Sequence, residues 1–192
     1  MVPSFLKSIL FTSFLLFPSL AFPAVDLGFS VQSTPYEPHM RIVKEVFQTM
    51  NDSPPPLARV TALLRQGHAF RYSHSTAYTP ASPEATAARQ LGDCKDKALW
   101  LCNQLQDPSA RFVIGKIHRG NRLSHAWVLW RSSGSWWILD CTLHARPIPA
   151  DSLGPDAYLP LYSYSKNQTF RHEAADPKLT VSTPKPSSSP ET

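Results

Sequence analysis

Gly92-Asp93-Cys94-Lys95-Asp96, Ser124-His125-Ala126-Trp127-Val128 and Ile138-Leu139-Asp140-Cys141-Thr142 follow one another along the chain, and their settings decide how the rest is read. Gly92 breaks the segment before it. Cys94, Ala98, Leu101 or Cys102, and Leu105 then recur at helical spacing, so a helix burying one face begins at or just before Cys94. Unpaired N–H groups and the helix dipole favour an anion at that end, the setting in which a thiol becomes a nucleophile. A glycine just before it lets a substrate approach the backbone closely. Cys102, in mid-helix, has the position of a structural cysteine.

Downstream, Arg111 to His118 and Leu123 to Arg131 read as strands joined through a turn at Gly120-Asn121. A third strand runs from Ser135 to Thr142 after a turn around Ser133-Gly134. The parity of that turn is a test. An even loop sets Ser132 opposite Ser135, and Asp140 then becomes the diagonal neighbour of His125 on one face. An odd loop would turn Asp140 to the other face. The spacing predicts the even loop. Trp127, Leu129, Trp136 and Ile138 make one strand face apolar, and Val128, Trp130, Trp137 and Leu139 the other. A sheet covered on both sides is implied, with the Cys94 helix expected on the face of His125. The fold class is therefore α+β, helices packed on an antiparallel sheet.

The flanks supply packing. From Val25 to Pro38 the chain reads as irregular or a short edge strand. Met40, Val43, Phe47 and Met50 give a first helix, ending before Asn51 and the Pro54-Pro55-Pro56 break. Leu57, Val60 and Leu64 give a second, stopped at Gly67. Phe70 and Tyr72 are in a loop or short extended segment. Ser82 caps a third helix, with Pro83 at its first position. Ala157 to Phe170 adds a strand or two. Thereafter Pro, Ser, Thr and Lys dominate, which predicts a disordered tail.

A length of 192 residues with 42% hydrophobic content suits one folded domain. The formal charge of +5 comes from dispersed residues without a Lys/Arg run, which argues against nucleic-acid binding. Residues 1–21 have the form of a secretory signal: Lys7, an apolar run from Ile9 to Phe17, and Ser19-Leu20-Ala21 before the cut. That run is too short for a stable membrane span, which takes about 20 residues. The expected organisation is a signal (1–21), an N-terminal segment with one helix (22–56), a catalytic domain (57–171) and a Pro/Ser-rich tail (172–192). Export places the mature protein in the periplasm or outside the cell. Three cysteines leave at least one thiol unpaired; Cys102 and Cys141 could bridge, leaving Cys94 free.

These settings point to Cys94 as nucleophile, His125 as its base and Asp140 as the residue that orients the imidazole. The Cys94 N–H and one upstream donor would stabilise an oxyanion; Tyr72, Tyr78 and Gln66 are the candidates. Three other readings stand beside this one. The residues could be ordinary members of an α/β core. The fold could be a silent binding module with an aromatic groove lined by Trp127, Trp136 and nearby tyrosines. A metal could be held by Cys94, His125, Asp140 and Cys141 or His144, although the chain lacks C-x-x-C or H-x-x-x-H spacing.

The three motifs together resemble the transglutaminase-like superfamily of papain-related folds: Gly-x-Cys at a helix start, His-Ala-Trp-Val in a strand, Leu-Asp-x-Thr at a strand end. Thr79-Pro80 to Glu84, and Leu159-Pro160-Leu161-Tyr162-Ser163-Tyr164 downstream, are similar more narrowly to the bacterial transglutaminase-like cysteine proteinases. The resemblance spans Leu57 to Phe170. It implies a Cys94-His125-Asp140 triad working through a thioester, on a protein or peptide substrate of the cell envelope. Amide hydrolysis and isopeptide-forming acyl transfer share this fold and triad. The best-known members of the proteinase group are calcium-dependent periplasmic proteases. They carry Gly-Asp-Cys-Glu-Asp, whereas Lys95 stands here where the glutamate would be. Asp93 and Asp96 remain as calcium ligands, but an ammonium in place of a hard oxygen ligand argues that no cofactor is required. Cys141 replaces the usual proline after the triad aspartate.

Overall fold

The computed structural model describes residues 26–175; the expected signal and nearly all of the expected tail lie outside them. Nine strands and four α-helices follow in order: β1 (Phe29–Val31), α1 (Arg41–Gln48), α2 (Leu57–Ala69), β2 (Arg71–Tyr72), α3 (Pro83–Arg89), β3 (Leu91–Gly92), α4 (Cys94–Leu105), β4 (Arg111–His118), β5 (His125–Ser132), β6 (Ser135–Leu139), β7 (Ile148–Pro149), β8 (Ala157–Tyr164) and β9 (Thr169–Arg171). Seven strands form one antiparallel sheet ordered β1-β9-β8-β4-β5-β6-β7, while β2 and β3 pair in parallel beside it. The architecture is α+β.

Local chemistry accounts for the element ends. Ser82 accepts a hydrogen bond from the Ala85 N–H at 3.2 Å, with Pro83 following at the first helical position, as its sequence predicts. Helix α3 is stopped by Gln90 in the left-handed region (φ 47°), not by Gly92. Gly92 instead pairs with Tyr72, and a Cβ there would come within 2.7 Å of Asp96 Cβ. Gly67 does not stop α2, which runs on to Ala69. Its bare Cα admits Trp100 and Cys141, which would meet a Cβ at 2.7 and 3.0 Å. The β5–β6 turn has both central residues, Ser133 and Gly134, at positive φ (50° and 81°), the conformation whose twist suits a two-residue hairpin.

That turn sets the even register: Ser132 lies opposite Ser135 and Val128 opposite Leu139. Strand β6 ends at Leu139, earlier than Thr142, and β5 starts at His125 rather than Leu123. The sheet is covered on both faces. One face, with Phe112, Ala126, Val128, Trp130 and Leu139, packs on α4 and on the apolar sides of α1 and α2. The other gathers Val113, Trp127, Leu129, Ile138, Ala150 and Tyr158 into a smaller cluster. The body of α4 therefore covers the face opposite that of His125, contrary to the expectation of a shared face, and it is buried nearly all round rather than along one stripe. The start of α4, at Cys94, is the part that comes nearest His125.

The packed unit extends past the boundary drawn from composition, because His172 is fully buried. Its ring ties the two ends of the domain: Nε2 meets Ser163 Oγ at 2.9 Å and Nδ1 meets the Asp26 carbonyl at 2.9 Å. Among the described residues no helix is long and apolar enough to cross a membrane.

Candidate active site

Cys94 is the first residue of α4 and is half-buried. The turn is held by a reciprocal cap: Asp93 Oδ1 accepts from the Lys95 N–H (3.1 Å) and the Asp96 N–H (3.4 Å), and Asp96 Oδ2 accepts from the Asp93 N–H (3.1 Å). The Lys97 N–H bonds the Asp93 carbonyl at 3.0 Å. From Asp93 to Lys97, the N–H of Cys94 is thus the one without an acceptor among the described residues. It remains available to a ligand oxygen.

His125 opens β5, and its Nε2 lies 2.8 Å from Asp140 Oδ2. The register explains this contact, since Asp140 follows Leu139, the partner of Val128, and so returns to the face of His125. With Nε2 committed to Asp140, Nδ1 is the ring nitrogen left free on the imidazole, and the Cys94 thiol lies close enough to act on the ring's charge. Burial opposes charging of the ring. Hydrogen bonds and charge from Asp140 and Cys94 outweigh it, and the His125 pKa rises to about 9. Burial likewise works to raise that of Asp140, yet the bonds from His125, Tyr158 and the Thr142 N–H hold it below the ordinary carboxylate range.

Tyr158 was not singled out by sequence reasoning. Its hydroxyl donates to Asp140 Oδ2 at 2.8 Å, the oxygen that His125 also uses. Its ring packs edge-on against Trp127, with centroids 5.2 Å apart. The backbone of Tyr158 is left-handed (φ 52°), a strained conformation for an aromatic residue within a strand. No pattern of residue types announces it. The remaining Asp140 oxygen, Oδ1, accepts from the Thr142 and Leu143 N–H groups of the turn that follows it, at 3.0 and 3.3 Å.

Of the upstream oxyanion candidates, Tyr72 is the one brought near Cys94: β2 pairs it with Gly92, and burial, then the charges of Cys94, Asp93 and Asp96, push its phenol upward. Tyr78 instead packs against Tyr36 and His39, with centroids 6.2 and 5.3 Å away. Gln66 sits on the exposed side of α2 and makes no hydrogen bond to Cys94 or His125. Trp127 is 1% exposed and cannot wall a surface groove, whereas Trp136 is half-buried.

The calcium expectation meets a set of oxygens that are already engaged. Asp93 Oδ2 pairs with the Lys95 ammonium, and Asp96 Oδ1 accepts from the Ala81 N–H at 2.8 Å. With their other oxygens in the helix cap, both carboxylates serve the loop and α4 and do not fit a cation. Among the described residues no group of three or more His, Cys, Asp or Glu is arranged to hold a metal. Cys141 is turned away from His125; its Sγ contacts the Lys97 carbonyl at 3.6 Å. Cys102 and Cys141 are both buried free thiols, so the bridge considered between them does not form. Burial pushes both upward, Cys141 to about 12 with Asp140 adding to the effect, so neither ionises near neutral pH.

No family model and no curated protein matches this sequence. Among solved structures, the chain is similar to Legionella pneumophila LapG at 15% identity and a TM-score of 0.49, over 72% of this chain and 81% of that one. A calcium-bound form of the same protein is similar at 17% identity and a TM-score of 0.41, over 72% and 70% of the two chains. A Cytophaga hutchinsonii protein assigned to the cysteine proteases is similar at 19% identity and 0.38, over 59% and 40%.

Proposed function

We propose that this protein is an exported transglutaminase-like cysteine peptidase that cleaves a protein or peptide of the cell envelope through Cys94, His125 and Asp140. One observation carries the reading: the His125 imidazole lies 2.8 Å from a buried carboxylate, and a half-buried thiol at a helix start stands close enough to act on the same ring. The order nucleophile, base, orienter along the chain is that of the sequence motifs. The leader-like residues 1–21 support export to the periplasm or beyond.

In this reaction the Cys94 thiolate attacks the scissile carbonyl carbon. The oxyanion takes a hydrogen bond from the unpaired Cys94 N–H, with Tyr72 the side chain nearest to hand. His125, already protonated, gives its proton to the leaving amine as the C–N bond breaks, and a thioester remains. Water then attacks the thioester carbonyl, His125 takes the water's proton, and the acid is released with the thiol restored. Asp140, fixed by Tyr158 and two backbone N–H groups, holds the imidazole in the orientation both steps need.

Iodoacetamide labelling at neutral pH, read by peptide mass spectrometry, tests the nucleophile: Cys94 is expected to react far faster than Cys102 or Cys141. Equal slow labelling of all three would sink the assignment. Envelope peptides released by wild type and absent with Cys94→Ala identify the substrate. Adding an amine acceptor separates hydrolysis from acyl transfer, because a transferase yields the amine adduct in place of the free acid.

A further inference from the structure

Lys97 occupies a place where a lysine is costly. It is 2% exposed, on the turn of α4 next to Cys94, and its ammonium has no hydrogen bond or ion pair among the described residues. Lysines this buried are ordinarily paired, and an apolar side chain of similar size would be more stable there. The buried residues that α1, α2 and α3 contribute, among them Val43, Leu64 and Thr86, are uncharged. The titratable groups whose charges act on Lys97 are Cys141 and Asp140, which offset part of the effect of burial on its ammonium.

The placement is specific. Residues three apart on a helix are neighbours, so Lys97 lies on the side of α4 that carries Cys94. Its carbonyl touches Cys141 Sγ at 3.6 Å, which sets this turn against the residue following Asp140. Lys97 is thus flanked by the nucleophile and the acid. The proposed reaction uses Cys94 as a thiolate beside the His125 imidazolium and the Asp140 carboxylate, and the same helix turn also holds the buried carboxylates of Asp93, paired with Lys95, and Asp96. The Lys97 ammonium offsets part of that excess of negative charge.

We infer that Lys97 is the buried counter-charge of the Cys94–His125–Asp140 set, a positioning residue that keeps the thiolate formed at neutral pH and is retained against stability. This rests on the triad reading above. Lys97→Met removes the charge and keeps the volume; Lys97→Arg keeps the charge. The measurement is the rate of Cys94 alkylation by iodoacetamide against pH, which needs no knowledge of the substrate. Losing a cation one helical turn away is expected to move the midpoint of thiolate formation up by about one pH unit, roughly a tenfold loss of rate on the acid side. K97R is expected to keep the wild-type midpoint, and K97M to melt above wild type.

Selective alkylation of Cys94 in wild type with an unmoved midpoint in K97M would overturn the role of Lys97 while leaving the triad standing. A K97M protein that melts below wild type, or does not fold, would make the side chain a packing element and overturn it too. If wild-type Cys94 reacts no faster than Cys102, the triad reading fails and this inference fails with it.

Discussion

Asp140→Asn changes one atom and meets four donors. Asp140 Oδ2 accepts from His125 Nε2 and the Tyr158 hydroxyl, both at 2.8 Å, and Oδ1 accepts from the Thr142 and Leu143 N–H groups at 3.0 and 3.3 Å. An amide accepts on its oxygen alone. Whichever way it is turned, its NH2 faces two donors, and Asp140 is 1% exposed, so water is a poor substitute. Each orphaned buried donor costs about 1–3 kcal/mol, so the variant should lose about 2–6 kcal/mol, a large part of the ~5–15 kcal/mol that a domain of this size possesses. Urea unfolding at pH 7, followed by tryptophan fluorescence, measures it. A double-mutant cycle with Tyr158→Phe localises the effect: the two changes share a hydrogen bond and should be non-additive by about 0.5–3 kcal/mol. D140N within about 0.5 kcal/mol of wild type, or strict additivity with Y158F, would refute the claim that this carboxylate is a four-donor hub.

The raised pKa of His125, about 9 against an ordinary 6.5, sets a pH window. The folded state binds that proton more tightly than the unfolded chain. The associated stability is complete below about pH 6.5 and is lost as pH rises through about 9, so the urea midpoint should fall over that interval in wild type more than in His125→Gln. Peptide hydrolysis should fail over the same alkaline limb while Cys94 alkylation does not, because only the former needs the imidazolium proton. Chelation with EGTA should leave the melting temperature of wild type unchanged; Lys95→Glu, which takes the ammonium from Asp93, is expected to create a calcium-dependent rise in melting temperature that wild type lacks. Gly67→Ala would normally favour a helix, but here its methyl meets Trp100 at 2.7 Å and Cys141 at 3.0 Å, so a loss of about 1–3 kcal/mol is expected in the same urea assay.

The parts of this protein written in adjacent residues were legible in its sequence. A helix starts at Cys94, Ser82-Pro83 starts another, and Ser133-Gly134 makes a two-residue turn; each is decided within a few residues by hydrogen bonds and φ preferences that residue type controls. Because strand side chains alternate, that one turn also carried the placement of Asp140 beside His125 across the hairpin. Tertiary contact decided the rest. Gly67 and Gly92 read as helix stops but serve as clearances for Trp100, Cys141 and Asp96, neighbours distant in sequence or set by the fold of a loop. Helix α4 covers the sheet face away from His125 because the larger apolar set lies there, and only the helix start can reach the histidine. Tyr158 arrives at Asp140 from a strand two places away in the sheet from β5, through a backbone angle that no tyrosine prefers. Residue types and their spacing are enough where an interaction is local; which distant side chain completes a carboxylate's shell depends on which strands become neighbours, and only the assembled sheet decides that.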